Sequence, residues 1–234
     1  MKPFDMIAFD ADDTLWYSEI HYINMQKAYE QILKPYIHPQ NVDKILLEKE
    51  TKNIPVYGYG TKSYMLSMIE LAIQISKGQI PTEEIQKIIN LGKEMLSADM
   101  ELIENVPETL EKLSRDYTLM VITKGDLLHQ QNKVRRSGLM PFFKTIEVVS
   151  EKDVATYQTL LERYQLSPER FLMIGNSLKS DILPVVEMGA QAVYIPNATT
   201  WAHEKVDVTG DEKNNYHEID QIGLLPDLIH QLEK

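Results

Sequence analysis

The sequence has 234 residues, of which 43% are hydrophobic and 25% charged, a composition typical of a globular chain and not of a disordered or collagen-like one. Its formal net charge of −11 argues against partners that need a basic protein surface, such as nucleic-acid polymers and anionic membranes. The absence of cysteine excludes disulfides and thiolate chemistry, and it fits a reducing cytoplasm.

The N-terminal apolar run is interrupted by Asp10, so the sequence predicts no signal peptide. No stretch approaches the roughly 20 consecutive apolar residues that a membrane-spanning helix needs. We therefore expect a cytoplasmic protein with no membrane partner. For an acidic chain of this size we also expect a monomer.

Five short apolar runs predict β-strands, and four helical patterns lie between or beside them. The predicted strands are residues 6–9, 117–122, 146–149, 171–174 and 192–195. The predicted helices are residues 107–114, 127–137, 154–164 and 180–188. Strands that alternate with helices predict an α/β fold with a parallel sheet covered on both faces, and ligands bind such sheets outside the carboxyl ends of the strands.

Residues 16–105 do not follow this alternation. Their apolar residues recur at helical spacing, with breaks at Pro35, Pro39, 55–60 and 78–81, which predicts an inserted helical segment. Trp16, directly after the first strand end, fits either a substrate pocket or packing at the hinge of the insert. Near the C-terminus, the polar stretch 207–215 predicts a surface loop.

The first candidate site residues are Asp10 and Asp12, two positions apart just beyond the first strand, so that their side chains can point into one cleft. Two converging carboxylates repel each other unless a cation lies between them. A hard cation with oxygen ligands, Mg²⁺, is the natural partner, and it also binds phosphate oxygens. An ordinary Asp-rich turn is the alternative interpretation of this pair.

Three further strand ends carry polar residues. The next strand end offers a hydroxyl, an ammonium group and a loose backbone to an anion, from Thr123, Lys124 and Gly125, although a helix cap at Thr123 or Asp126 is an alternative. Lys152 follows the next strand and can neutralise a phosphoryl group, unless it is simply solvated.

The fourth strand end is the turn from Gly175 to Asp181. It places two metal-capable oxygens, those of Asn176 and Asp181, five positions apart, while a helix cap at Ser177 or Ser180 is the alternative. Each of the four strand ends is ambiguous alone, but one sheet can bring all of them together, which is improbable by coincidence.

These motifs resemble the haloacid dehalogenase-like superfamily. Its Asp-x-Asp-x-Thr motif is matched by residues 10–14, its strand-terminal Thr or Ser by Thr123 and its lysine by Lys152. Its Gly-Asp-x-x-x-x-Asp pattern is matched by residues 175–181, except that Asn176 stands at the first Asp position. The resemblance implies a Rossmann-like core formed by residues 1–15 and 106–234, with a helical cap domain at residues 16–105.

The resemblance also implies a Mg²⁺-dependent phosphatase that acts on a small phosphorylated metabolite through an aspartyl-phosphate. Asp10 would be the nucleophile, and Asp12 the general acid and then the general base. The implied phosphate-binding residues are Thr123, Lys124 and Lys152, with backbone N–H groups of Ala11 and Lys124. The implied metal ligands are Asp10, Asp12 through its backbone carbonyl, Asn176 and Asp181.

Several rival functions share these motifs. Dehalogenases of the superfamily use the first Asp without Mg²⁺ and generally lack the second, so Asp12 argues against that activity. A phosphonatase needs a cap lysine for which the sequence gives no support. A phosphoglucomutase-like phosphoryl transferase stays an alternative, and so does a catalytically silent phosphate-binding regulatory module, whose one support is the amide of Asn176.

Overall fold

The computed structural model describes residues 2–197, 199, 201–204, 206 and 215–233. The loop predicted at 207–215 therefore lies, except for Asn215, outside the described residues. No helix in the described ranges is long and apolar enough to cross a membrane.

The centre of the fold is a six-stranded sheet in which every pair of neighbouring strands is parallel. The strands are β1 (Met6–Phe9), β2 (Thr118–Lys124), β3 (Thr145–Val149), β4 (Phe171–Gly175), β5 (Gln191–Tyr194) and β6 (His217–Glu218). Their order is β3-β2-β1-β4-β5-β6. This is a Rossmann-like order, in which the chain changes direction between β1 and β4, and it confirms the predicted α/β fold.

The side chains of β1 explain why the sheet is covered on both faces. Ile7 and Phe9 belong to one hydrophobic core and Met6 and Ala8 to another, since successive residues of a strand point to opposite faces. All four are buried, and full burial of a side chain such as Phe9 contributes about 1.5–3 kcal/mol. The two cores also take in side chains from the helices that flank the sheet.

Nine α-helices accompany the sheet in the described ranges. They are α1 (Glu19–Leu33), α2 (Val42–Tyr57), α3 (Thr61–Ile75), α4 (Thr82–Ser97), α5 (Val106–Ser114), α6 (Leu127–Arg136), α7 (Val154–Tyr164), α8 (Leu183–Glu187) and α9 (Leu225–Leu232). The helix break predicted at 55–60 begins only after Tyr57, since Pro55 is accommodated in the last turn of α2. A proline near a helix end interrupts only one main-chain hydrogen bond.

The chain divides into two compact units. The first contains residues up to 19, 100–124 and from 130 onward, and it holds the sheet; the second contains 20–99 together with 125–129. The second unit has a hydrophobic core of its own, built around Tyr29, Met68 and Leu71. Residues 16–19 and 100–105, which the sequence assigns to the cap, pack with the first unit, where Trp16 is completely buried in the core of the sheet.

Two features of the sheet unit differ from the sequence prediction. β6 was not predicted, because two polar residues give no apolar run. The helix predicted at 180–188 is instead one π-helical turn (Leu178–Ile182) followed by α8. Pro184 has no N–H to give the carbonyl of Ser180, and the hydroxyl of Tyr157 donates to that carbonyl at 3.0 Å.

Candidate active site

Asp10 lies one residue beyond β1, at the point where the chain reverses direction in the sheet. Its backbone N–H donates to the carbonyl of Ile174 at 2.8 Å, so the residue is fixed between β1 and β4. Its side chain is buried, and its Oδ1 accepts a hydrogen bond from the ammonium group of Lys152. The same ammonium donates to Oδ1 of Asp181 at 2.6 Å. The structure thus joins three predicted site residues directly, and Lys152 is buried and paired, not solvated.

These charges shift one another's ionisation. Burial raises the pKa of Asp10 and Lys152 lowers it, and with the repulsion of Asp181 the pKa comes to about 7. Burial alone would lower the pKa of Lys152, but Asp10 and Asp181 raise it above its usual value. Lys152 is therefore a permanent cation beside Asp10.

Asn176 is connected to Asp10 through Thr14. The hydroxyl of Thr14 lies 3.3 Å from Oδ2 of Asp10 and 3.3 Å from Oδ1 of Asn176. A hydroxyl has one hydrogen, so it can donate to only one of these two acceptors at a time. One buried oxygen of the pair is therefore left without a donor from Thr14.

This donor set fits a hard cation. Asp10 and Asn176 present neighbouring oxygens, and Asp181 is joined to Asp10 through Lys152; Mg²⁺ takes oxygen ligands of these types. Within the ranges the structure describes, no group of three or more His, Asp or Glu side chains is arranged to hold a metal. The amide oxygen of Asn176 is an oxygen donor of a type that such a group of His, Asp and Glu side chains does not include.

The carboxylate of Asp12 accepts hydrogen bonds from three other side chains. Lys133 Nζ contacts its two oxygens at 2.7 and 2.8 Å, Trp16 Nε1 lies 2.7 Å from Oδ1, and Gln130 Nε2 lies 2.9 Å from Oδ2. Burial would raise the pKa of Asp12, but Lys133 and the hydrogen bonds lower it to about 2. Asp12 is held ionised in this arrangement.

Asp13, the third acidic residue of the first motif, caps helix α1. Its backbone has a positive φ of 61°, and its carboxylate accepts from the backbone N–H groups of Ser18 at 3.0 Å and Glu19 at 3.0 Å. Carboxylates are favoured at helix N-termini, where backbone N–H groups lack partners. The motif thus starts the next helix as well as supplying Asp10 and Asp12.

Thr123 and Lys124 are the last two residues of β2, so the strand ends two positions later than the sequence predicted. Gln130 ties them to the site, since its Nε2 lies 3.1 Å from the hydroxyl of Thr123 and 2.6 Å from the carbonyl of Lys124. The ammonium of Lys124 contacts Glu204 at 2.6 Å, Ser180 at 2.8 Å and Glu151 at 3.3 Å. The side chain of Lys124 is thus paired with carboxylates.

Glu204 also fastens the turn that carries Asn176 and Asp181. Its Oε2 accepts from the hydroxyls of Ser177 and Ser180. Burial would raise the pKa of Glu204, but Lys124 and these hydroxyls lower it to about 2. Glu204 therefore joins the turn after β4 to the end of β2 as a carboxylate.

The turn after β4 is closed by its own hydrogen bonds. Ser177 caps it by accepting from the N–H of Ser180 at 3.0 Å, as the alternative interpretation of the sequence has it, and its own N–H donates to Oδ2 of Asp181 at 3.0 Å. Gly175 is required because a Cβ there would lie 2.2 Å from Oδ2 of Asp181. The cap and the candidate site residue are thus parts of one turn.

Sequence reasoning missed Gln130, Lys133 and Glu204. The first two had a signal, because positions 130, 133 and 134 share one face of α6 and all are buried, so two polar residues stand on an inward face. Glu204 lies in a short 3₁₀ turn whose sequence carries no comparable pattern.

The sequence profile of the haloacid dehalogenase-like hydrolases matches residues 4–189 of the chain. The sheet order, the position of Asp10 and the inserted helical unit agree with that match. The chain belongs to the haloacid dehalogenase-like hydrolase family, and it is an enzyme of that family.

Individual relatives are similar over different shares of the chain. A glyceraldehyde 3-phosphate phosphatase of Methanothermobacter thermautotrophicus is 34% identical over 42% of this chain and 46% of its own length. A ribulose-1,5-bisphosphate 5-phosphatase of Halopiger xanaduensis is 29% identical over 56% of this chain and 58% of its own. The chain thus spans about half the length of these two curated relatives.

Among solved structures, that of a haloacid dehalogenase-like family hydrolase from Xanthomonas campestris is similar over nearly the whole chain. It superposes with a TM-score of 0.87 at 38% identity and covers 98% of this chain and 92% of its own.

Proposed function

We propose that the protein is a Mg²⁺-dependent phosphatase that hydrolyses a small phosphorylated metabolite through an aspartyl-phosphate on Asp10. The observation that carries the proposal is the buried carboxylate of Asp10, held at the carboxyl end of the central strand against the ammonium of Lys152. A carboxylate in that position needs no base to activate it as a nucleophile. The names of the two curated relatives support a phosphate ester as substrate.

Each residue of the site has a role in this proposal. Oδ2 of Asp10, which is not bonded to Lys152, attacks the phosphorus atom, and Lys152 offsets the charge that develops on the phosphoryl oxygens. The hydroxyl of Thr123 and the backbone N–H groups of Ala11 and Lys124 bind those oxygens. The ammonium of Lys124 contributes only its charge, because Glu204 and Glu151 are its partners.

Asp12 serves as the proton-transferring residue. The base role, which activates water to hydrolyse the aspartyl-phosphate, fits the ionised carboxylate as it stands. The acid role requires Asp12 to carry a proton, which a pKa of about 2 opposes in the present arrangement. The proposal therefore needs the contacts of Asp12 with Lys133, Gln130 and Trp16 to loosen when the leaving group departs.

The charges of the site favour a bound cation. Three lysines of the site form ion pairs with five carboxylates, which leaves a formal excess of negative charge before any phosphate binds. The lysines are Lys124, Lys133 and Lys152, and the carboxylates are those of Asp10, Asp12, Glu151, Asp181 and Glu204. Mg²⁺ would be held by Asp10, Asn176, Asp181 and the backbone carbonyl of Asp12. Bound there, it supplies charge neutralisation and polarises a phosphoryl oxygen.

Hydrolysis of para-nitrophenyl phosphate and of a panel of phosphorylated sugars, with Mg²⁺ and with EDTA, tests the proposal. We expect Mg²⁺-dependent release of phosphate that falls at least about a thousandfold in Asp10→Asn, because the nucleophile is lost. Asp116→Asn, which neutralises an exposed carboxylate, is the matched control and should keep full activity.

Other outcomes of this assay would identify one of the two alternative functions, a phosphoryl transferase or a silent phosphate-binding module. Conversion of a sugar phosphate to its isomer without release of phosphate would identify a phosphoryl transferase. Phosphate-ester binding without turnover would identify a silent module. Equal activity in the wild type and in Asp10→Asn would contradict the proposed nucleophile.

A further inference from the structure

Lys133 is a buried lysine that the proposed roles leave unused. It lies on the inward face of α6 with a side chain only 4% exposed, and its ammonium contacts both oxygens of Asp12. Replacing a buried ion pair by apolar side chains is often neutral or stabilising, so stability alone does not explain this lysine.

The donors around Asp12 form a rigid set, which we call the Asp12 clamp and which consists of Trp16, Gln130 and Lys133. Trp16 and Gln130 are buried, so neither side chain is free to reorient in solvent. Together the clamp makes four contacts of 2.7–2.9 Å that reach both oxygens of the carboxylate. The orientation of the Asp12 carboxylate is therefore fixed from several directions.

Gln130 shows that the clamp is organised around Asp12. Its Nε2 faces Asp12, Thr123 and Lys124, while its Oε1 has no hydrogen-bond partner among the described residues. A buried acceptor without a partner costs free energy, yet turning the amide over would place that oxygen against the carboxylate of Asp12. The amide is therefore oriented so that Nε2 can donate to its neighbours, while Oε1 stays without a donor among the described residues.

We propose that Lys133 is a positioning residue of the reaction, which acts through the Asp12 clamp to hold the ionised carboxylate of Asp12 in the orientation from which it accepts a proton from the attacking water. The expected effect on the reaction rate rests on the proposed phosphatase function. The existence of the clamp rests only on the contacts of Trp16, Gln130 and Lys133 with Asp12.

The kinetic test compares Lys133→Met with the wild type on para-nitrophenyl phosphate and Mg²⁺. We expect kcat to fall about tenfold to a hundredfold with KM changed less than about twofold, because orientation of a proton-transferring group is lost while substrate contacts remain. Arg135→Met removes an exposed cation from the same helix and should leave both constants unchanged. If Lys133→Met does not fold, Lys133→Gln retains a shorter donor, and we expect a smaller fall in kcat.

A double-mutant cycle separates positioning from a structural role. If Lys133 acts only through Asp12, Lys133→Met should lower kcat less than about twofold further in an Asp12→Asn background. An equal fall in both backgrounds, or a wild-type kcat in folded Lys133→Met, would overturn the proposal.

A spectroscopic test is independent of activity. The chain has two tryptophans, Trp16 and Trp201, so Trp201→Phe assigns the indole N–H resonance of Trp16. We expect that resonance to move upfield in Asp12→Asn, because the indole loses its carboxylate acceptor. It should also move upfield in Lys133→Met, because the carboxylate of Asp12 is no longer held against the indole, but not in Arg135→Met. A resonance that stays in place would overturn the clamp even in an active enzyme. A wild type without activity would contradict the proposed function but would leave this readout intact.

Discussion

At the scale of single residues, the hydroxyl of Thr14 is shared between two buried oxygens of the site, those of Asp10 and Asn176. It lies at equal distances from one oxygen of each residue and can donate to only one of them. A bound cation would satisfy both oxygens at once. The identity of residue 176 should therefore control the affinity of the site for Mg²⁺.

We expect Asn176→Asp to bind Mg²⁺ about tenfold more tightly, because an anionic ligand replaces a neutral one. Titration calorimetry or the Mg²⁺ dependence of phosphate release measures the change. Asn132→Asp, which adds the same charge on α6 outside the site, is the control. An unchanged or weaker affinity in Asn176→Asp would count against Asn176 as a ligand.

Sequence motifs predicted which candidate site residues lie together, but not all of the side chains that they contact. Asp10, Lys152 and Asp181 were predictable, because each follows an apolar strand and parallel strands end at one edge of the sheet. The pairing of Asp12 with Lys133 was not, since a motif does not say toward which neighbour a carboxylate turns. Trp16 had two interpretations from sequence, and the structure buries it in the core of the sheet unit, where its indole N–H donates to Asp12.

At the scale of elements, the turn after β4 depends on Glu204. This carboxylate accepts from Ser177 and Ser180 in the turn and from Lys124 at the end of β2. It therefore joins two elements that the sheet places apart, since β1 lies between β2 and β4.

The ionisation of Glu204 predicts how stability depends on pH. Its pKa is lowered from 4.5 to about 2 in the folded protein, so the unfolded chain binds more protons between these values. The stabilisation is present above about pH 4.5 and is lost as the pH falls toward 2. Glu204→Gln should therefore lower the free energy of unfolding by on the order of 3 kcal/mol at pH 7, with the difference shrinking below pH 4.5.

Urea denaturation at several pH values between 7 and 3 measures this difference. Glu162→Gln, which changes an exposed glutamate of α7, is the control and should alter stability little at any pH. A difference between Glu204→Gln and the wild type that stays constant with pH would contradict an ionised Glu204 as its source.

Five of the six strands were predictable because each contains an apolar run, including the edge strand β3, which is only half-buried. β6 was not, because His217 and Glu218 are recruited only by pairing with β5. The π-helical turn was not predictable either, since it depends on the hydroxyl of Tyr157, which comes from another helix.

At the scale of the whole molecule, the inserted helices leave and rejoin the sheet unit at neighbouring points. The backbone N–H of Tyr17 donates to the carbonyl of Glu101 at 3.0 Å, and that of Ile103 donates to the carbonyl of Leu15 at 3.0 Å. The cores on the two faces of the sheet contain no residue from 20–99. The sheet unit therefore has hydrophobic cores of its own, and backbone hydrogen bonds within it join the two ends of the chain that flank residues 20–99.

We expect a variant in which a short Gly-Ser linker replaces residues 20–99 to keep the sheet and to unfold cooperatively, because few contacts of its core are lost. Circular dichroism and thermal unfolding measure this. Deletion of α5 is the control and should prevent folding, because Val106 and Leu110 belong to the core of the sheet. An unfolded linker variant would contradict the independence of the sheet unit.

The position of β1 has a consequence for the order in which the molecule opens. β1 is paired along both edges, and the N–H of Asp10 continues this pairing by donating to Ile174. Amides in such positions exchange with solvent hydrogen only in the rarest and largest openings. The carboxylate to which we assign the chemistry thus stands at the end of a strand that we expect to be among the last segments to open. Local fluctuations elsewhere can therefore admit substrate and release product without displacing it.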